Sequence, residues 1–370
     1  MSRVTGRLSP PQELQQNYLN DLKWTETLVG MLQLVDNQNQ AQRVVRLGLE
    51  VDSPLGARLA GAVKPEFQEQ TVELVARLKV PSLLRKIQLL EITQSEKAIP
   101  ELIKCLDHYN SSVRLTTVKA LEKIGTEVAI YPLIKCLDDD YYLVRRSAAE
   151  ALGKIGTEVA IYPLIKCLDD DYYLVRSSAV EALGKIGTEV AIYPLIKCLD
   201  DDYYLVRRSA AEALGKIGTE MAIYPLIKCL DDDYYLVRRS AAEALGEIGT
   251  EVAIYPLIKC LDDDNSYVRY SGAEALGKIG AKVAIKPLIK CLNDKNSYVR
   301  YSAAKALGEI GAEVAIEPLI KCLDDDNSYV RYSAAKALGK MGVELRVNAS
   351  YFEMPTGYEI DRISTYACEF

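Results

Sequence analysis

Aspartates, cysteines and tyrosines recur at a fixed interval along this chain, and they are the side chains that could carry chemistry. Three consecutive aspartates, Asp138–Asp140, precede a tyrosine pair, and comparable acidic runs return at 31-residue intervals. Clustered carboxylates can bind a divalent cation or act as a general acid and base. These runs fall in loops where nothing would raise a carboxyl pKa, so they do not predict catalysis.

One acidic run approaches a metal motif but fails at two positions. Asp262, Asp264 and Ser266 have the spacing that opens a calcium-binding loop. Tyr267 stands where that loop needs a glycine, and Ala273 stands where it needs the closing glutamate. We therefore expect no metal site and no cofactor.

Eight of the nine cysteines share one repeat position, and we expect them to be buried thiols. Neighbouring helices lie about 8–10 Å apart, whereas a disulfide needs Cα atoms within about 7 Å. His108 is the only histidine, so no Ser-His-Asp, Cys-His or zinc arrangement is available, and we expect no enzyme activity. The eight cysteines are Cys105, Cys136, Cys167, Cys198, Cys229, Cys260, Cys291 and Cys322.

A 31-residue unit positions all of these side chains and occurs eight times between Ala98 and Val343. A fixed period of this length is typical of solenoids that stack helix pairs. We therefore predict an all-α protein, a right-handed α-solenoid (superhelix) of eight helix pairs. Solenoids generally bind other molecules along an extended surface.

Each unit contains two short helices with apolar side chains at helical spacing. In repeat two, Val144, Ala148 and Leu152 are expected to form the buried stripe of the second helix, and Gly156 to end it. Repeats two to five have tyrosine, such as Tyr141, where other repeats have an asparagine N-cap. Because tyrosine is a poor cap, we expect the preceding aspartate to replace it and the helix to start one residue earlier.

The composition favours a soluble cytoplasmic protein that binds neither nucleic acid nor membrane. The 370 residues include 45 basic and 52 acidic ones, which gives a net charge of −7. No apolar run is long enough to span a bilayer, and the start of the chain lacks the apolar stretch of a signal peptide. We expect a monomer.

The repeat combines Pro-Leu-Ile-Lys, an aspartate-rich loop and Val-Arg-x-x-Ala-Ala-x-Ala-Leu-Gly-x-Ile-Gly. This sequence resembles the armadillo-like HEAT repeats of the phycobilisome-lyase-like class, over residues 98–343. Proteins with this unit include bilin lyases, scaffolds and artificial binding proteins. Deoxyhypusine hydroxylase also carries it and binds iron through His-Glu pairs, which this chain lacks, so that activity is not implied.

The segments Tyr18–Leu28, Leu55–Gly61, Val63–Val72 and Ser95–Pro100 carry a second resemblance. They are similar to the helical segment that joins the nucleotide-binding domain of cyanobacterial NACHT-type NTPases to C-terminal HEAT repeats. The chain has no phosphate-binding loop of the type Gly-x-x-x-x-Gly-Lys-Ser/Thr, so the resemblance implies a recognition arm without the motor.

Three domains follow from these patterns. We expect residues 1–97 to form an irregular helical N-terminal cap and residues 98–343 to form the eight repeats. Residues 344–370 lose the repeat pattern and contain a Pro-Thr-Gly turn signal, so we expect either a β-hairpin cap or a loosely ordered tail.

Tyrosine far exceeds phenylalanine, 24 residues against 3, which favours binding surfaces over cores. The second helices are expected to line the concave side of the solenoid, with mixed charge in the middle repeats and more tyrosine toward the C-terminus. The predicted partner-binding residues are Tyr142, Arg146, Glu150, Lys154, Tyr173, Tyr204, Arg208, Tyr235, Arg239, Tyr267, Tyr270, Tyr298, Tyr301, Tyr329 and Tyr332.

An arginine recurs beside the acidic loop of every repeat, and we expect an Asp–Arg ladder that joins adjacent repeats. A pair between Glu150 and Lys154, four residues apart, is expected on the second helix. The ladder arginines are Arg145, Arg176, Arg207, Arg238, Arg269, Arg300 and Arg331, with Arg114 in the divergent first repeat.

Together these features predict a non-catalytic scaffold or recognition arm that binds a protein partner through the concave face. The repeat class implies one alternative, a phycobilin lyase or chromophore chaperone that acts on phycobiliproteins.

Overall fold

Pairs of short helices follow one another through the protein, a computed structural model in which residues 24–343 are described. Every regular element in that range is an α-helix or one turn of 3₁₀ helix. The chain divides into two compact units, Met1–Ile186 and Gly187–Phe370. The expectations for residues 1–23 and for the C-terminal hairpin or tail lie outside the described residues.

Between residues 24 and 97, five α-helices precede the first repeat, and three of them begin at side-chain caps. Asn37, Asp52 and Ser82 each accept a hydrogen bond from a backbone N–H in the first turn of the helix that follows. The helices are α1 Thr25–Leu32, α2 Gln38–Val51, α3 Ser53–Ala62, α4 Pro65–Ala76 and α5 Leu83–Ile92.

The first unit continues with the helix pairs of repeats one to three. Consecutive second helices of these pairs pack side by side, and each first helix packs against the second helix of its own repeat. The helices are α6 Ile99–Ile103, α7 Ser111–Ile124, α8 Ile130–Lys135, α9 Tyr142–Ile155, α10 Ile161–Lys166 and α11 Tyr173–Ile186.

The second unit contains the helix pairs of repeats four to eight, packed in the same way. Each unit is therefore an α-solenoid. The helices are α12 Ile192–Lys197, α13 Tyr204–Ile217, α14 Ile223–Cys229, α15 Tyr235–Ile248, α16 Ile254–Cys260, α17 Ser266–Ile279, α18 Ile285–Cys291, α19 Ser297–Ile310, α20 Ile316–Lys321 and α21 Ser328–Lys340.

The core of each repeat is the apolar stripe of its second helix. Val144, Ala148 and Leu152 of α9 are fully buried, as predicted. Close approach between second helices depends on glycine: a Cβ at Gly153 would lie 2.6 Å from the Cα of Ala182 on α11. Gly156 ends α9 with a φ of 74°, the left-handed conformation that favours glycine, and confirms the predicted helix end.

The predicted early start of the second helices in repeats two to five is wrong. α9 begins at Tyr142, the position that matches Ser266 of α17, and Tyr141 occupies the N-cap without a side-chain hydrogen bond. The preceding aspartate, Asp140, does not take the N-cap position. Asp139 accepts hydrogen bonds from the N–H of Tyr141 and from Arg114, and this holds the loop in the same register as in the asparagine-capped repeats.

None of the helices within residues 24–343 is both long enough and apolar enough to cross a membrane.

Candidate protein-interaction face

The loop edge of the solenoid is held by arginine–aspartate pairs between adjacent repeats. Arg207 donates from Nε to Oδ2 of Asp232 over 2.7 Å and from Nη2 to Oδ1 over 2.9 Å. Its Nη1 donates to the carbonyl oxygen of Asp201 in its own repeat over 2.8 Å. Bidentate pairs of this kind are Arg114–Asp139, Arg145–Asp170, Arg207–Asp232, Arg238–Asp263, Arg269–Asp294 and Arg300–Asp325.

The carboxylates of this ladder stay ionised. Burial raises the pKa of Asp232, but the hydrogen bonds from Arg207 and from the N–H of Tyr234 lower it by more, so the net pKa lies below its usual value. Arg176 also donates to the carbonyl oxygen of Asp170 in its own loop. Arg331 makes the same contact with Asp325, whereas its buried Nε has no hydrogen-bond partner.

The face formed by the exposed sides of the second helices, called here the second-helix face, is internally neutralised in the middle repeats. Arg208 Nε donates to Glu212 Oε1 over 2.7 Å, and Ser240 Oγ of the next repeat donates to the same oxygen over 3.2 Å. Arg239 and Glu243 form an equivalent pair at 2.8 Å. The arginine and the glutamate of these repeats therefore neutralise each other within the protein.

The predicted Glu150–Lys154 pair is wrong. Glu150 instead accepts a hydrogen bond from Arg146 Nε over 2.8 Å, and the Lys154 ammonium pairs with Glu122 of the preceding repeat. The reason is the close stacking of the second helices, which brings the neighbouring glutamate within reach of the lysine.

Tyrosine rings of the middle repeats stack on one another across repeat boundaries. The ring centroids of Tyr142 and Tyr172 lie 4.5 Å apart, and those of Tyr204 and Tyr234 lie 4.4 Å apart, with nearly parallel planes. Tyr142, Tyr173 and Tyr204 are half-buried. Tyr142 and Tyr204, both predicted contact residues, thus use one ring face to join adjacent repeats.

The tyrosines of repeats six to eight are more available. Tyr298 is 67% exposed, Tyr267 and Tyr329 are also exposed, and neither Tyr298 nor Tyr329 has a ring partner among residues 24–343. Tyr270, Tyr301 and Tyr332 lie one turn further along their helices and are half-buried. Burial raises the pKa of Tyr270 to about 12, with the nearby Glu274 carboxylate contributing.

A small cavity opens on the second-helix face between repeats seven and eight. Its volume is about 110 Å³, and its walls carry three lysines and one glutamate. Lys305 forms an ion pair with Glu274 at 2.9 Å. The cavity is lined by Tyr301, Lys305, Glu309, Tyr332, Ser333, Lys336, Ala337 and Lys340.

The repeated cysteines are core thiols. Burial raises the pKa of Cys136 and of Cys260 to about 12, so neither is a thiolate at neutral pH. Cys105 is half-buried, and its pKa is raised by the same cause. Within the described range, no cluster of histidine, cysteine and carboxylate side chains has the arrangement of a metal site.

A second row of exposed aromatic side chains was missed by the sequence reasoning. Tyr224 on α14 is 74% exposed, and Met221, one turn before it, is exposed as well. The period-31 tyrosine before the proline of each first helix could have revealed this row. Its members are Tyr131, Tyr162, Tyr193, Tyr224 and Tyr255.

A model of HEAT repeats matches residues 54–153, 133–215, 194–277 and 255–339, well over half of the chain. The chain belongs to the HEAT-repeat family. The matched region includes part of the segment before Ala98. No curated protein sequence matches the chain.

Solved structures of HEAT-type solenoids resemble the chain. The YibA protein of Escherichia coli is 22% identical, with a TM-score of 0.52 over 72% of this chain and 98% of that one. Kap95p, solved with RanGDP, is 15% identical, with a TM-score of 0.63 over 90% of this chain and 54% of that one. Both likenesses show the fold alone, and that fold is the predicted α-solenoid.

The complex of CpcE and CpcF of phycocyanin lyase from Nostoc sp. PCC7120 is 26% identical over 67% of this chain and 94% of that chain. Its TM-score is 0.41, and nothing about function follows from a likeness at that level.

Proposed function

We propose that this HEAT-repeat protein is a non-catalytic scaffold that binds a protein partner through the second-helix face, mainly in repeats six to eight. The observation that carries the proposal is the exposure of tyrosine rings there: Tyr267, Tyr298 and Tyr329 present rings to solvent on one side of successive second helices. Tyrosine supplies large, rigid contact area at low entropic cost and is enriched in interfaces.

The neutralised middle repeats support the same assignment. There the arginines and glutamates satisfy one another, and tyrosine rings such as Tyr204 and Tyr234 stack across the repeat junction. Groups that already have partners inside the protein contribute less to binding, because an intermolecular contact must replace an existing one. Within residues 24–343 the rings of Tyr298 and Tyr329 carry no such cost, whereas the ring of Tyr267 stacks on that of Tyr235 at 6.3 Å.

The finer assignments rest on sequence resemblance. The resemblance of residues 1–97 supports a role as the recognition arm of a NACHT-type NTPase, and the buried thiols fit a reducing cytoplasmic compartment. Mixing the purified protein with a bilin and an apo-phycobiliprotein tests the lyase alternative. A covalent adduct and a shifted absorption band in that mixture would replace the scaffold assignment.

Affinity purification from the native source, followed by binding measurements with the recovered partner, tests the proposal. We expect Tyr267→Ala combined with Tyr298→Ala and Tyr329→Ala to weaken binding at least tenfold, since central tyrosines often cost more than 1 kcal/mol each. Tyr193→Ala, Tyr224→Ala and Tyr255→Ala on the first helices form the matched control. Equal losses in both triple variants, or no loss in either, would overturn the proposal.

A further inference from the structure

We infer that the cavity between repeats seven and eight binds an acidic segment of the partner: one apolar side chain enters the cavity, and flanking carboxylates contact Lys336 and Lys340. The inference rests on the proposed function and adds the chemistry of the partner. The cavity lies on the second-helix face between Tyr301 and Tyr332.

Two of the three cavity lysines have no ionic partner within the described chain. Lys305 is neutralised by Glu274 at 2.9 Å. Lys336 and Lys340 are exposed, and no carboxylate of residues 24–343 lies within ion-pair distance of either ammonium. Glu309 is the single acidic residue of the lining. Among the described residues, the site therefore offers unpaired positive charge in a protein whose net charge is −7.

The position of Lys336 is acidic in the middle repeats, whereas the position of Lys340 keeps an exposed lysine, Lys216, in repeat four. Glu212 occupies the position of Lys336 in repeat four and binds Arg208. Glu243 occupies it in repeat five and binds Arg239. In repeat eight the arginine is replaced by Tyr332 and the glutamate by Lys336, so the internal pair is lost and a cation is left beside an aromatic ring.

The size of the cavity favours a side chain over a metabolite. Its volume is about 110 Å³, below the roughly 300–1,000 Å³ of pockets that enclose drug-sized ligands. A cavity of about 150 Å³ holds one benzene molecule, so this one accommodates part of a single side chain. The aromatic walls of Tyr301 and Tyr332 and the methyl group of Ala337 suit an apolar group.

Charge complementarity selects a short acidic peptide segment over a polyanion. Nucleic-acid binding generally draws on several lysine or arginine contacts to phosphates, and the affinity falls steeply with salt. This site has two free ammonium groups, and Asp324 and Asp326 lie exposed in the loop of the same repeat. A pair of carboxylates that brackets an apolar residue matches the two lysines and the cavity, and it carries fewer negative charges toward those aspartates than a polyanion does.

Fluorescence anisotropy with short labelled peptides tests the inference. The probe alternates glutamate with leucine, and its counterpart carries glutamine for every glutamate. The variant is Lys336→Gln with Lys340→Gln, and the matched control is Lys216→Gln with Lys278→Gln, which removes the same charge from exposed positions of the same face. A duplex DNA oligonucleotide serves as the competing polyanion.

We expect the glutamate peptide to bind the wild-type chain and the control variant with similar affinity. It should bind the Lys336→Gln, Lys340→Gln variant roughly tenfold more weakly, and it should dissociate as the salt concentration rises. Equal binding of the glutamine peptide, equal loss in the control, no binding to the wild-type chain, or preferential binding of DNA would each overturn the inference. A recovered partner that needs the exposed tyrosines but ignores both lysines would overturn it as well, while the scaffold function stands.

Discussion

The loop edge and the second-helix face are built from the same repeats but behave differently along the chain. At the loop edge, the Arg207–Asp232 and Arg300–Asp325 pairs have the same atoms in the same roles. On the second-helix face, the Arg208–Glu212 pair of repeat four gives way to Tyr332 and Lys336 in repeat eight. Stacking imposes the same arginine–aspartate pair at the junctions where the ladder forms. A surface that stacking does not use can vary and carry specificity.

The difference follows from burial. The ladder side chains Arg207 and Asp232 are 13% and 11% exposed, so each charge needs its partner and its remaining hydrogen bonds. The side chains of Arg208 and Glu212 are about three times more exposed, and water can replace either partner at little cost.

Removing a ladder arginine should produce the largest loss of stability. In Arg238→Ala the Asp263 carboxylate stays largely buried without its bidentate partner, and we expect a loss of roughly 3 kcal/mol in the free energy of unfolding. Arg331→Ala is the matched control, because within residues 24–343 Arg331 donates only to backbone carbonyl groups. Urea unfolding followed by circular dichroism measures both variants, and equal losses would show that the carboxylate contact is unimportant.

Adding a methyl group at a glycine where two second helices pack closely should reduce stability somewhat less than removing a ladder arginine. A Cβ at Gly246 would lie 2.8 Å from the Cα of Ala275, so we expect Gly246→Ala to lose about 1–3 kcal/mol despite its better helix propensity. At Gly339 no atom of the described residues lies within 4 Å of the added Cβ. Gly339→Ala should therefore gain up to about 1 kcal/mol. Thermal melting compares the two variants directly. A melting temperature of Gly246→Ala equal to that of the wild type would contradict the close stacking.

Acid should destabilise the protein through the carboxylates of the loop edge. The pKa of Asp263 is raised by burial but lowered by more through Arg238 and the N–H of Asn265, so its net value lies below normal. Its contribution to stability is therefore complete above the ordinary carboxyl pKa near 3.9 and is lost as pH falls toward the folded-state pKa. We expect Arg238→Ala to flatten this acid dependence, measured as urea midpoints between neutral and acidic pH. An unchanged slope would argue against the pair.

Truncating exposed rings of the second-helix face should have the smallest effect on folding. Tyr298→Ala and Tyr329→Ala remove side chains without ring partners in the described chain, and we expect the free energy of unfolding to change by no more than about 0.5 kcal/mol. The same variants should bind the partner more weakly. A loss of several kcal/mol in their urea unfolding would assign these rings to the core and remove the contrast between the two regions.

The fold could be predicted because every repeat has the same pattern of apolar residues and helix-ending glycines. Val144 and Leu152 lie at helical spacing and recur in other repeats. Gly156 marks the helix end, because the left-handed backbone conformation there favours glycine. The arginine–aspartate ladder could also be predicted, since Arg145 and the acidic loop beside it recur together in successive repeats. Local geometry was harder: the Tyr141 N-cap and the partner of Lys154 depend on which neighbour the stacked helix brings close, and a sequence pattern does not contain that distance.

The surface could be predicted only in part. Tyrosine enrichment indicated exposed rings, but it did not distinguish the stacked Tyr204 from the free Tyr298. The first-helix row represented by Tyr224 was overlooked, because its apolar neighbours in sequence resemble a core stripe. The cavity at Lys336 and Lys340 depends on the junction between two helices and has no signature within either one.

Site-specific photo-crosslinking tests most directly whether the second-helix face is the recognition surface. A photoreactive phenylalanine analogue replaces Tyr298 on α19 in one variant and Tyr224 on α14 in the other, both at exposed positions. We predict that the purified partner is captured efficiently from the Tyr298 position and not from the Tyr224 position. Capture from Tyr224 alone would move the binding surface to the first helices and contradict the account.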